Sequence, residues 1–245
     1  MPDQQLLNGI LPVQHLQQAI HDGAILAELQ IIPAQLQPAS LDLRLAAEAW
    51  RVQASFLPGH TMTVADKLAK FAMHKIDLTD GAVLERGCVY IVKLQESLRL
   101  PKGVTAMANP KSSTGRLDIF TRLICDYAAE FESVADGYTG PLYAEISPRT
   151  FSVLVRAGSR LSQLRLRQGA SAVSDDAMQS LHTNVGLLRG AGSADIDIRD
   201  GVGLTVNRQP GGKSGMSGWR ARKHAGLIDI DAQASCPVDA FWERV

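Results

Sequence analysis

Residues Lys111 to Arg116 read KSSTGR: two cations bracket three hydroxyl side chains and a glycine, shortly after the apolar run VTAMA. Backbone N–H groups and hydroxyls converging at such a turn can hold phosphate oxygens, with Lys111 and Arg116 supplying charge. An ordinary polar loop has the same composition, so the hexapeptide alone leaves both readings open. A second chemistry-bearing stretch is DGYTGPLYAEI, Asp136 to Ile146. Leu142, Ala144 and Ile146 alternate onto one face, which puts Tyr143 and Glu145 together on the other. A carboxylate in mid-strand among apolar neighbours either faces solvent or is partnered and working, because an unpaired buried charge is costly. A third stretch, AGSRLSQLRL from Ala157 to Leu166, is a tight turn entering a strand that carries Gln163.

The elements that must position these residues are mostly strands. SLDLRL alternates strictly, with Leu41, Leu43 and Leu45 on one face and Ser40, Asp42 and Arg44 on the other, and predicts a half-buried strand. AWRVQASF, AVLERGCVYIVKL, SLRLP, VTAMA, LYAEI, SVLVR and RLSQLRLR are further strand segments. Turn formers such as Pro58-Gly59, Asp80-Gly81, Asp136-Gly137 and Ala157-Gly158 separate them. Many short strands at close spacing imply an antiparallel barrel or sandwich. Helices are few. PVQHLQQAIHDG places Val13, Leu16, Ala19 and Ile20 on one helical face between Pro12 and Gly23, TVADKLAKF reads as an inserted helix, and Ser174 caps a short helix carrying Ala177, Met178 and Leu181. Residues 1–36 are expected to form an N-terminal helical segment and 37–185 the main domain. A Gly-rich linker, GLLRGAGSADIDIRDGVG, then leads to GLTVN, Trp219-Arg220 and GLIDID, which echo the first domain. Residues 186–245 are therefore expected to open a second, incomplete copy.

The chain has 245 residues with 25 basic and 25 acidic side chains, so it lacks the net positive field of a nonspecific nucleic-acid binder. An anionic ligand must be held by local clusters such as Lys111, Arg116 and Arg122. No apolar run reaches the length of a membrane span and the start MPDQQLLNGILP lacks a secretory layout, so a cytoplasmic protein without membrane contact is expected. Cys88, Cys125 and Cys236 are odd in number and widely spaced, which implies neither a disulfide framework nor a metal site. PGGKSG from Pro210 lacks the first glycine of a P-loop, since position 207 is Asn207.

Taken in order, PASLDLRL, NPKSSTGRL, GYTGPLYAEI and AGSRLSQLRL resemble the motif series of the dCTP deaminase and dUTPase family, and more closely its deaminase branch. The resemblance covers Gln37 to Arg167. It implies a dUTPase-like antiparallel β-barrel of distorted jelly-roll type with a few short helices. Longer two-copy bacterial dCTP deaminases would suit the partial C-terminal repeat.

The resemblance further implies hydrolytic deamination of dCTP to dUTP and ammonia, with a dUTP diphosphatase or bifunctional activity as the alternative within the fold. A catalytically degenerate nucleotide-binding copy is the alternative of another class. The SSxxR pattern falls on Ser112, Ser113 and Arg116, with Lys111 at the preceding basic position. On this reading Glu145 shuttles protons, Ser112 helps to hold the water and Arg116 fixes Glu145. Lys111, Ser113, Thr114 and Gly115 form the triphosphate turn, while Tyr143 and Ala144 line the base pocket. Tyr138 would pack on the sugar, and Asp136 and Gln163 complete the substrate contacts. Family members are trimers with sites at subunit interfaces, so a homo-oligomer, trimeric or pseudo-trimeric, is expected. Mg2+ is expected only through the triphosphate. Zinc is not expected, because no H-x-E or C-x-x-C occurs. The run EFESVADGYTG departs from the D-P-G-W-like turn of the deaminases, with Asp136 where the proline falls and Ala135 where the aspartate falls.

Overall fold

A computed structural model describes residues 8–169, 173–188, 196–206 and 215–245. The fold is mainly β, as the alternation predicts, and is built on two six-stranded antiparallel sheets. In the first, Ser133–Val134, Val104–Pro110, Ser162–Gln168, Ser40–Leu43 and Leu36–Gln37 lie side by side, and Gly9–Ile10 adds to the edge of Ser162–Gln168. The second runs Ile119–Cys125, Thr139–Pro148, Val89–Arg99, Leu45–Val52 and Ala72–Asp77, with Ile25–Ala27 paired to Val89–Arg99. SLRLP, expected as a strand of its own, continues the Val89–Arg99 strand as far as Arg99. Leu41, Leu43, Ala106, Ala108, Leu164 and Leu166 from the first sheet meet Val92, Leu94, Leu123, Leu142, Ala144 and Ile146 from the second in one apolar core.

Helix α1, Val13–His21, buries Leu16 against this core. Helix α2, Val64–Phe71, occupies the expected TVADKLAKF segment. Thr63 accepts from Asp66 N while the Asp66 carboxylate accepts from Thr63 N, so two otherwise orphaned amides at its start are satisfied reciprocally. α2 lays Val64 and Leu68 over a second cluster on the outer face of the second sheet, with Val52, Phe56, Ile91, Ile124 and Tyr143. KSSTGR, expected as a turn, forms instead the short helix α3, Ser112–Arg116, with Lys111 as its N-cap. α4, Asp175–Val185, begins at Ser174, whose hydroxyl accepts from Ala177 N as expected. α5, Val238–Phe241, lies near the C-terminus.

The half-buried character expected of SLDLRL is corrected: Ser40, Asp42 and Arg44 are only 4%, 1% and 7% exposed. The polar side of this segment is buried because each of its groups has a tertiary partner. Ser40 donates to Gln163, Asp42 pairs with Lys111, and Arg44 donates through Nε to the fully buried Glu96 at 2.8 Å. Charges tolerate burial only when paired in this way.

Ile228–Asp229 adds a parallel strand to Val153–Val155, and Phe151 packs edge-on against Phe241 and Trp242. The C-terminal segment thus lies against the main domain. Much of the Gly-rich linker, the end of GLTVN and the start of PGGKSG, at 189–195 and 207–214, fall outside the described residues. Among the described residues no helix is long and apolar enough to cross a membrane.

Candidate functional site

Glu145 lies on Thr139–Pro148, between Ile119–Cys125 and Val89–Arg99. The strand does not run evenly: its pairing with Val89–Arg99 shifts register between Pro141 and Tyr143, where Pro141 lacks the N–H of a regular ladder. Gly140 precedes it beneath the Tyr138 ring; a Cβ there would lie 2.5 Å from Tyr138 Oη. Beyond the shift the alternation holds, with Ala144 and Ile146 in the core and Tyr143, Glu145 and Ser147 on the outer face.

This outer face is not solvated. Glu145 is 2% exposed, which excludes the solvent-facing reading left open by the sequence. Arg122, directly opposite on the neighbouring strand, donates from Nε to Glu145 Oε1 at 3.2 Å, and its Nη2 contacts the same oxygen. Arg122 also donates from Nη2 to Ser55 Oγ at 3.0 Å and stacks on the Phe131 ring, 3.6 Å from its centroid. On the other flank Ile91 faces Glu145 and Trp50 faces Ile91. The carboxylate therefore sits in an apolar, aromatic surround with one oxygen held by a guanidinium. Its second oxygen, Oε2, has no hydrogen-bond partner among the described residues. An oriented carboxylate with one free acceptor in a water-poor wall can take and return a proton.

Arg122 is the partner of Glu145 that sequence reasoning missed. It appeared only as a member of a basic cluster, and the signal that could have found it was its place on the strand preceding the glutamate strand. Arg116, expected to fix Glu145, does not reach it within the chain. It is exposed on α3 and has no ion pair or hydrogen bond among the described residues.

The remaining candidates divide clearly. Tyr143 shares the Glu145 face and is buried in the apolar cluster beside it, where burial raises its phenol above the ordinary range. Ala144 points the other way, into the main core, so only its backbone can border a base pocket. Ser112, Ser113 and Gly115 are exposed on α3, whereas Thr114 is buried and donates to Leu161 O at 2.8 Å, anchoring the helix. Lys111 is bound to the buried Asp42, which also has Arg160 Nη1 at 3.6 Å. Gln163 lies opposite Asp42 and Asn109 on the outer face of the first sheet and accepts from Ser40. Asp136 caps a turn by accepting from Gly103 N at 2.6 Å. Tyr138 is a core residue whose hydroxyl accepts from Asp126 N and donates to Pro141 O, and its phenol is strongly raised by burial.

Two patches thus emerge within one chain: Glu145 with Arg122 and Tyr143, and the α3 face with Ser112, Ser113 and Arg116. Beside the second, a cavity of about 360 Å3 opens between Ser113 and Leu117 and the C-terminal stretch from Ile228 to Trp242.

The chain matches the family model described as the N-terminal domain of 2'-deoxycytidine 5'-triphosphate deaminase over residues 7–170, and that of the C-terminal domain over 174–245. It is 46% identical to a 2'-deoxycytidine 5'-triphosphate deaminase from Agrobacterium tumefaciens whose crystal structure superposes with a TM-score of 0.89, over 97% of this chain and 70% of that one. A dCTP deaminase of Halorubrum lacusprofundi is 29% identical over 146 residues, 58% of this chain and 69% of that protein. With matching models over both parts of its length and a close structural relative, the chain belongs to the dCTP deaminase family.

Proposed function

We propose that this protein hydrolyses dCTP to dUTP and ammonia with Glu145 as its proton shuttle. The observation that carries this reading is the buried carboxylate whose Oε1 is held by Arg122 while Oε2 has no partner among the described residues. Cytosine C4 is a poor electrophile until N3 is protonated, and water is a poor nucleophile until it loses a proton. Glu145 Oε2 takes the proton from water as its oxygen attacks C4, delivers it to N3, then takes the C4 hydroxyl proton and passes it to the departing amine, leaving a carbonyl at C4. Such positioned acid–base catalysis contributes roughly 10²–10⁴-fold. Arg122 holds the carboxylate in one orientation between proton transfers.

Ser112 and Arg116 do not meet Glu145 within the chain, yet both are exposed on one face of α3. This arrangement fits a homo-oligomer in which α3 of one subunit meets the Glu145 face of another, with Ser112 and Arg116 turned to Glu145 and its water and Ser113 to the triphosphate. A hydroxyl suits phosphate oxygens, so Mg2+ would arrive on the triphosphate and neutralise its charge. Lys111 has a smaller direct part, since Asp42 already neutralises it.

Incubation with dCTP and with dUTP, measuring ammonia and pyrophosphate separately, tests the reading. Ammonia released from dCTP, and reduced at least 10²-fold in Glu145→Gln, is the expected result. Equal release by that variant would overturn the assignment of Glu145, and pyrophosphate without ammonia would overturn deamination.

A further inference from the structure

The side chain of Glu145 is 2% exposed, whereas that of Arg122, which holds it, is 24% exposed. Water is thus open to the cation and closed to the anion, and an arginine with that access leaves its partner readily unless a further contact holds it. Aromatic rings supply that contact. The Arg122 guanidinium carbon lies 3.6 Å from the centroid of Phe131 and 4.7 Å from that of Phe120. At 3.6 Å the flat cation is in van der Waals contact with the Phe131 ring, and no water fits between them. A planar guanidinium covered on one face donates in its own plane, where its donors meet Glu145 Oε1 and Ser55 Oγ. Phe120 is itself half exposed, so the partly buried Phe131 is the firmer of the two rings.

Phe131 is brought there by the backbone rather than by its own packing. After Cys125 the chain leaves the second sheet and crosses to Ser133–Val134 in the first. Tyr127 and Glu132, towards the two ends of this crossing, take φ values of 61° and 64°, a left-handed conformation that side chains disfavour. Both are pinned. Tyr127 N donates to Met62 O at 3.0 Å, Glu132 N donates to Leu123 O at 2.9 Å, and Glu132 O accepts from Ala108 N at 3.0 Å. Backbone held in a sparsely populated region by several such bonds is a feature of functional sites. Resting on the deaminase reading above, we propose that Phe131 is a positioning residue for the reaction, its ring holding the Arg122 guanidinium in the plane from which it orients the Glu145 carboxylate. Phe131 touches no reacting atom and acts through Arg122 alone.

Phe131→Leu, Phe131→Tyr and Phe131→Leu combined with Arg122→Lys test this. Phe131→Leu should lower kcat for ammonia release from dCTP by about tenfold, through misorientation of the carboxylate. Its KM should change by less than about twofold, because the ring does not hold substrate. Phe131→Tyr keeps the ring and should keep most of the wild-type kcat. Arg122→Lys has no flat guanidinium to stack, so adding Phe131→Leu to it should lower kcat by less than about twofold further. Effects that multiply in full would show that the ring acts by another route and overturn the inference. Wild-type kcat in Phe131→Leu, an equal loss in Phe131→Tyr, a rise in KM as large as the fall in kcat, or loss of the fold in Phe131→Leu would each overturn it too. In every such case Glu145 keeps its assignment as long as Glu145→Gln is impaired. A wild type that releases no ammonia would overturn the parent reading and this inference with it.

Discussion

Glu145 and Arg122 form a pair whose two members are not equivalent. The carboxylate is almost wholly buried, whereas the guanidinium is about one-quarter exposed, so removing the cation leaves the more costly orphan. Arginine is also suited by shape: its planar fork reaches Oε1 through two nitrogens, bonds Ser55 and lies on the Phe131 ring at once, which the single nitrogen of a lysine ammonium does not match. Arg122→Lys is therefore expected to fold and to keep its charge, yet to lower kcat for ammonia release by about tenfold or more through misorientation of the carboxylate. Arg122→Ala should instead destabilise the fold, by about 3 kcal/mol or more, through the unpaired buried charge. Steady-state assays and urea denaturation separate the two outcomes, and equal activity of the lysine variant and wild type would show that charge alone suffices. Asp42 presents the reverse case, a carboxylate that captures a lysine expected to serve the ligand.

At the scale of elements, the site is a strand face covered by a helix. α2 contributes Val64 and Leu68 to the cluster that walls Tyr143 and Ile91, and its start is fixed by the reciprocal Thr63–Asp66 bonds and by Val64 N donating to Asp126 at 2.8 Å. Hydrogen bonds from Thr63 also hold the Asp66 carboxyl below its usual range. Thr63→Ala should cost about 1 kcal/mol, read as a lower urea midpoint at unchanged slope, with the Glu145 geometry intact. A drop several times larger would mean that α2 holds the sheet face together rather than merely covering it. α3 is too short to persist alone and is held from outside by Thr114 on Leu161 O and by Lys111 N on the same carbonyl. Its exposed serines are therefore presented on a helix pinned at its base.

In the whole molecule, the C-terminal segment is joined to the main domain by ionic and aromatic contacts. Arg156 donates to both Asp229 oxygens, at 2.8 and 2.7 Å, and the Arg156 hydrogen bonds hold the Asp229 carboxyl down to about 2. A depressed carboxyl stabilises the docked form at every pH above its unpaired value of 3.8, and that contribution is lost as pH falls through about 2. An acid titration followed by tryptophan fluorescence should thus show the segment docked at pH 4 and its docking weakened as pH falls towards 2, with Arg156→Ala weakening it already near neutrality. Weakening of the wild type already above pH 4 to the level of Arg156→Ala would contradict the pairing. The sequence by itself determined the β class, the three helices singled out from it, the motif order and the sharing of one strand face by Tyr143 and Glu145. These follow from local periodicity and capping, which are written within a few residues. Only the tertiary structure decided that Arg122 of the same chain holds Glu145, that Asp42 captures Lys111, and that Tyr138 spends its hydroxyl in the core. Each of these depends on how distant strands register and pack, and a one-residue slip in that register would exchange the two faces of a strand. The alternation announces that a carboxylate lies on a given face; which cation meets it there is set by the neighbouring strand.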